Sequence, residues 1–155
     1  AHIPLDVHDV FGNNVGLAAA LGLEETTAFF PWRGILLGRR ASVTDWTLSN
    51  LLEQLRQLLG GRLHCAPGGP ENVREIGIIT GGAGSEVAAI AKEGIDTFIT
   101  GEGPHHSYAL AEEVGVNLVY AGHYATEVYG VKALAAHLGE RYSLPHVFLD
   151  HPSGL

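Results

Sequence analysis

An α/β fold, with mixed or mostly parallel sheets and flanking helices, is predicted by three features of this 155-residue chain. Short apolar runs alternate with helix-period segments from about residue 75 onward. Glycine-rich turns (Gly81 to Gly84, Gly101 to Gly103, Gly122) stand where each run gives way to a helix. Strands alternating with helices imply right-handed crossovers and parallel neighbours. One leucine-rich segment before residue 60 also carries a strong helical period.

Taken in order, His2 to Val7 reads as a short strand, with Ile3, Leu5 and Val7 alternating against Pro4 and Asp6. Pro4 places it at an edge or a strand start, because proline cannot donate to a ladder. Asn13 or Asn14 would cap a helix over Val15 to Leu21 that Gly22 ends. Residues 26 to 32 read as irregular, and Arg33 to Leu37 as a short strand. Ser42 or Thr44 would cap a helix through Leu59, in which Leu48, Leu51, Leu52, Leu55, Leu58 and Leu59 recur at spacings of three and four. This stripe is core, and Gly60-Gly61 stops the helix.

Arg62 to Ala66 is strand-like, and residues 66 to 72 are loop by composition. Glu75 to Thr80, Asp96 to Thr100 and Val116 to Tyr120 read as apolar strands. Helices are expected over Ser85 to Lys92, capped by Ser85, over Pro104 to Val114, and from about His123 to Leu138. Pro104 suits a first helical turn. Pro145 to Leu149 reads as a last strand.

Nine Lys and Arg against 17 Asp and Glu give a formal net charge of −8. That argues against a nucleic acid as partner, since affinity for a phosphate backbone comes largely from basic side chains. With 46% apolar and 17% charged residues the chain reads as globular. No apolar stretch approaches the roughly 20 residues that span a bilayer, and no membrane partner is expected. Cys65 stands alone, so no internal disulfide forms, and a cytoplasmic location with an inert buried thiol is the expectation. The chain opens on Ala and contains no Met, so we expect a further N-terminal part upstream.

The nine histidines equal the whole Lys plus Arg count, an unusual supply of metal-ligating nitrogens. His123 and Glu127 are four residues apart. If a helix begins near His123 they share one face and can reach a common ion; otherwise they are solvated neighbours at a helix start. On a strand, His2, Asp6 and His8 would also share a face. His105 and His106 follow a strand end, where ligands gather in open α/β sheets. Adjacent helical residues point about 100° apart, so at most one of the two would face a site. The Thr80 to Ser85 turn precedes a helix N-terminus but lacks the lysine of a phosphate-binding P-loop, and tight-turn geometry suffices to explain it. No Ser/His/Asp or Cys/His nucleophile set competes with the metal-ligand pattern.

In order, His2-x-Pro4-Leu5-Asp6-x-His8, Gly12-Asn13-Asn14, Gly82-x-Gly84-Ser85, Thr100-Gly101-Glu102, His106 and Gly122-His123-x-x-Thr126-Glu127 resemble the motifs of the Nif-three-like dinuclear metal-centre proteins, also described as GTP cyclohydrolase I type 2 homologues. The resemblance implies a two-lobed protein, with residues 1–30 and 116–155 in a metal-site lobe and 31–115 in an inserted lobe. It implies a homohexameric ring with two divalent transition metal ions facing its interior. Asp6 and His123 would be ligands, and Glu127 a carboxylate able to bridge both ions. Two adjacent histidines that the family also uses would lie upstream of this chain, and His105-His106 is not their counterpart. Three of about five protein ligands are therefore present. Such ligands suit Zn, Fe, Mn, Co or Ni alike. The function implied is that of a metal-dependent hydrolase acting on a small nucleotide- or phosphate-containing molecule through metal-activated water, with GTP cyclohydrolase activity as one instance. The alternative is a non-catalytic metal-binding or regulatory ring protein, or a metal chaperone.

Overall fold

Strands β1 (Thr27–Trp32), β2 (Ile35–Thr47), β3 (His64–Pro67), β4 (Asn72–Ile78), β5 (Thr97–Thr100) and β6 (Asn117–Tyr120) form one sheet in the computed structural model, which describes residues 2–153. Their spatial order is β1-β2-β4-β5-β6-β3. β4, β5 and β6 are parallel, while β1, β2 and β3 join antiparallel. The expected mixed α/β sheet is therefore present. The helices are α1 (Ile3–Asp6), α2 (Asn13–Ala20), α3 (Leu48–Leu59), α4 (Val87–Lys92), α5 (His106–Val114), α6 (His123–Thr126) and α7 (Val128–Tyr142).

Because successive strand residues point to opposite faces, β5 and β6 each feed two cores. Ile99 and Val119 pack with Leu17, Leu51, Leu55 and Ile76 on the face covered by α2 and α3. Phe98 and Leu118 turn the other way, to Val87, Ile90 and Ala111 of α4 and α5. The leucine stripe is thus core, as its period implies. Thr47 caps α3 by accepting from the Asn50 amide at 3.2 Å, and Gly60 ends it in the left-handed region at φ 64°. The expected cap at Ser42 or Thr44 is displaced because those residues lie within β2.

Several local expectations are corrected. Residues 3–6 form a helical turn in place of a strand, since Pro4 sits in the first turn, where a missing amide is harmless. Residues 27–32, expected to be irregular, form β1. It meets β2 through Arg33 and Gly34, both at positive φ, as in a tight two-residue hairpin turn. β2 is far longer than the expected Arg33 to Leu37 strand. Asn13 and Asn14 are not caps; Gly12 takes that position and the two side chains are buried. Ser85 makes no capping hydrogen bond, and a 3₁₀ turn over Gly84–Glu86 precedes α4. The helix expected from His123 is interrupted at Glu127 (φ −105°, ψ 12°). Residues 145–149 pair with no strand, and Val147 and Leu149 are exposed.

No helix among the described residues is long and apolar enough to cross a membrane. Cys65 is half-buried, and burial pushes its thiol pKa up, which suits an inert thiol. Leu55 has no exposed surface. Leu55→Ala is expected to lower unfolding stability by about 2–5 kcal/mol through lost transfer energy and a residual cavity, as read from urea denaturation.

Candidate metal centre

The parallel strands β4, β5 and β6 end at one edge of the sheet, and the three loops that leave them interlock. The Gly81 amide donates to the Thr126 hydroxyl at 3.1 Å. The Gly81 carbonyl accepts from the Glu102 amide at 2.9 Å and from the Thr100 hydroxyl at 3.2 Å. The Gly122 amide donates to the Gly101 carbonyl at 2.9 Å. A Cβ on Gly101 would come within 2.7 Å of the His123 Cα, so only glycine admits this approach. Thr126 has no exposed surface, and its hydroxyl donates back to the carbonyl of Gly122 or His123, closing the short α6 turn.

Asp6 arrives from the other end of the chain. It is buried at the end of α1, and its Oδ1 accepts from Asn13 Nδ2 at 2.6 Å. Asn13 Oδ1 in turn accepts from the Gly130 amide at 2.6 Å, so one side chain of α2 ties Asp6 to the first turn of α7. Asn14 does the same for the sheet, donating to the Leu37 carbonyl and accepting from the Thr80 amide, both at 2.8 Å.

His2, Asp6 and Glu127 converge as a result, each offering one ligand atom within 4.8 Å of the others. His123 stands beside them, its Nε2 3.3 Å from Glu127 Oε1. On its other side, His123 Nδ1 lies 2.9 Å from Glu102 Oε1. Glu102, His123 and Glu127 line a cavity of about 440 Å³ whose far wall includes Phe148 and His151. Burial and the neighbouring Asp6 carboxylate push the Glu127 pKa up, although His123 and His2 oppose the shift.

A profile of the family described as Duf34/NIF3 (NGG1p interacting factor 3) matches residues 1–153. The chain belongs to this family. A Deinococcus radiodurans relative described as a GTP cyclohydrolase 1 type 2 homolog is 37% identical over 156 residues, covering 100% of this chain and 59% of the relative. A Pyrococcus horikoshii protein of the same description is 35% identical over 159 residues, covering 99% of this chain and 62% of the relative. Among solved structures, TTHA1606 from Thermus thermophilus matches at TM-score 0.84 and 43% identity, over 100% of this chain and 61% of that one. Reduced HcgD from Methanocaldococcus jannaschii matches at TM-score 0.77 and 26% identity, over 90% of this chain and 55% of that one. This DUF34/NIF3 chain spans about three fifths of the length of these curated relatives.

The donor set of the DUF34/NIF3 chain fits a divalent cation. His2, Asp6 and Glu127 converge with His123 beside Glu127, a mixed oxygen and nitrogen set that transition metals accept. The carboxylates repel in a partly buried setting, which a bound cation would relieve. Space is reserved as well: Gly81 lies at φ +75°, and a Cβ there would fall on Glu127 Oε1.

Asp6 and Glu127 therefore lie together with His123 beside Glu127, and His2, expected to share a strand face with Asp6 and His8, joins them. His8 does not, because its Nδ1 accepts from the amides of Val10 and Phe11 at 3.1 Å within its own turn. His106 begins α5 at the surface, and His105 lines a separate cavity with His64, Tyr108 and Tyr120. Sequence reasoning missed Asn13, Glu102 and Thr126 as site-building residues. Their place in the Gly12-Asn13-Asn14, Thr100-Gly101-Glu102 and Thr126-Glu127 motifs was the available signal.

Two outcomes are expected. In chelator, Glu127→Gln should raise the thermal midpoint near neutral pH. A carboxyl whose folded pKa is raised contributes stability that is fully present below its unfolded value and lost as pH rises through the folded value. The gain should therefore shrink toward acid; a gain that stays constant with pH would exclude the ionisation as its cause. Gly81→Ala should destabilise by at least about 1–2 kcal/mol from the left-handed backbone alone, and displace Glu127 in a crystal structure of the variant.

Proposed function

We propose that Asp6, His123 and Glu127, joined by His2, form one wall of a dinuclear divalent-metal site in a hydrolase-like protein acting on a small nucleotide- or phosphate-containing substrate. The observation that carries this reading is the convergence of His2, Asp6 and Glu127, from opposite ends of the chain, beside His123. Family membership and the description of relatives as GTP cyclohydrolase 1 type 2 homologs support it. Bound divalent ions would supply Lewis acidity to a substrate oxygen and lower the pKa of a water.

The chain's own residues would do the rest. Asp6 is held in place by Asn13, so its carboxylate is presented without reorganisation on binding. Glu127 stands between the Asp6 and His123 sides, where a carboxylate is able to bridge two ions. In that role it is not free to act as a general base. Phe148 and Val131 add apolar lining to the cavity beside Glu127. The same reading carries the homohexameric ring implied for the longer protein.

Elemental analysis is the direct test. After dialysis against Zn²⁺ or Mn²⁺ and removal of excess, a protein of the full length of the curated relatives should retain two ions per protomer, and Asp6→Ala should abolish stoichiometric retention. A broad screen of nucleotides and phosphoesters with the metal-loaded form should show turnover that Asp6→Ala loses. Undiminished metal in Asp6→Ala would reject the ligand set. Full metal without turnover would favour the non-catalytic, metal-binding reading.

A further inference from the structure

Glu102 is the acidic residue of the cavity that the ligand set leaves unused, and its main chain is pinned on both sides. Its amide donates to the Gly81 carbonyl at 2.9 Å, and its carbonyl accepts from the Gly84 amide at 3.1 Å. The side chain therefore leaves a fixed point in the loop after β5. Its Oε1 meets His123 Nδ1 at 2.9 Å, while Nε2 on the opposite side of the ring faces Glu127 at 3.3 Å.

A neutral imidazole carries its proton on one nitrogen and its lone pair on the other, and only the lone pair binds a cation. Two carboxylates compete for the proton of His123. Glu102 is the closer acceptor, and it is the more exposed of the two, so its negative charge is more cheaply hydrated. A proton on Nδ1 leaves the lone pair on Nε2, the nitrogen that faces the converging ligands. We propose that Glu102 is a positioning residue that holds His123 as the Nδ1–H tautomer and so presents Nε2 to a divalent ion. The arrangement is a carboxylate–imidazole–cation relay, in which the outer carboxylate also raises the basicity of the ligand nitrogen. This role rests on the metal reading above, but the tautomer it specifies belongs to the metal-free protein.

The test combines two readouts. Imidazole ¹⁵N shifts of the chelated chain, followed over a pH series, should report the Nδ1–H form for neutral His123. Glu102→Ala should shift it toward Nε2–H, and Glu102→Gln, whose amide oxygen still accepts, should retain Nδ1–H. In a Zn²⁺ competition titration Glu102→Ala should bind about 10–100-fold more weakly, with Glu102→Gln between it and the wild type. Thermal midpoints in chelator should agree among all three, since a half-exposed pair contributes little to stability. If Glu102→Ala fails to fold, the intermediate Glu102→Gln affinity with an unchanged tautomer carries the same conclusion.

Wild-type His123 in the Nε2–H form would overturn the proposal. So would Glu102→Ala binding Zn²⁺ as tightly as a wild type that does bind it; that result leaves the metal reading intact. A wild-type protein of the full length of its curated relatives that takes up no ion overturns the metal reading itself, and this role with it.

Discussion

Gly81 occupies the point where three strand-end loops meet, and each of its backbone groups is committed. Its amide is spent on Thr126, and its carbonyl is shared by Glu102 and Thr100. Its positive φ turns the chain away from β4, and its missing Cβ leaves room for the Glu127 carboxylate. No other residue type satisfies all four conditions together. The placement of Glu102, His123 and Glu127 relative to one another follows from this junction, because each belongs to a loop that the glycine ties to the next.

Asp6 reaches the same place by a different device. It comes from a short helical turn with few contacts of its own, and buried Asn13 fixes its position by bonding Asp6 and α7 at once. A carboxylate held this close to Glu127 is electrostatically unfavourable without a cation, yet the surrounding hydrogen bonds leave it little freedom to retreat. The arrangement resembles a preorganised binding site more than a stabilising ion pair. Stability comes from elsewhere: the two apolar layers above and below the sheet, supplied by alternating residues of β5 and β6 and, on one side, by Val73, Ile76 and Ile78 of β4.

The central βαβ rhythm is legible because fully buried parallel strands are uninterrupted apolar runs, and because glycines mark each loop. The β1–β2 hairpin is obscured for physical reasons. β1 is an edge strand containing Pro31, its turn is Arg-Gly, and β2 carries Arg39 and Arg40 on partly exposed positions and Asp45 on an exposed one, with a register shift between Ser42 and Trp46. Local spacing leaves the pair His123 and Glu127 open as ligands or solvated neighbours; the helix breaks between α6 and α7, yet a single turn is enough to bring them together. That Asp6 belongs with them is invisible to spacing and needed the ordered motifs. His2 is misread on a strand, where it would share a face with Asp6 and His8; the helical turn keeps the first partner and discards the second. Residues 145–149 alternate like a strand, but alternation supplies no ladder partner.

The position of β3 also governs the order in which this sheet can be completed. Its ladder runs to β6, with Pro67 opposite Asn117 and His64 opposite Tyr120. A ribosome delivers His64 to Pro67 well before that partner exists, so the strand must wait, unpaired, while β4 and then β5 are made. Ala66, fully enclosed at the end, gains its surroundings only when Leu118 is in place. One margin of the sheet is thus sealed from the C-terminal side, by the same strand whose next residues run into His123.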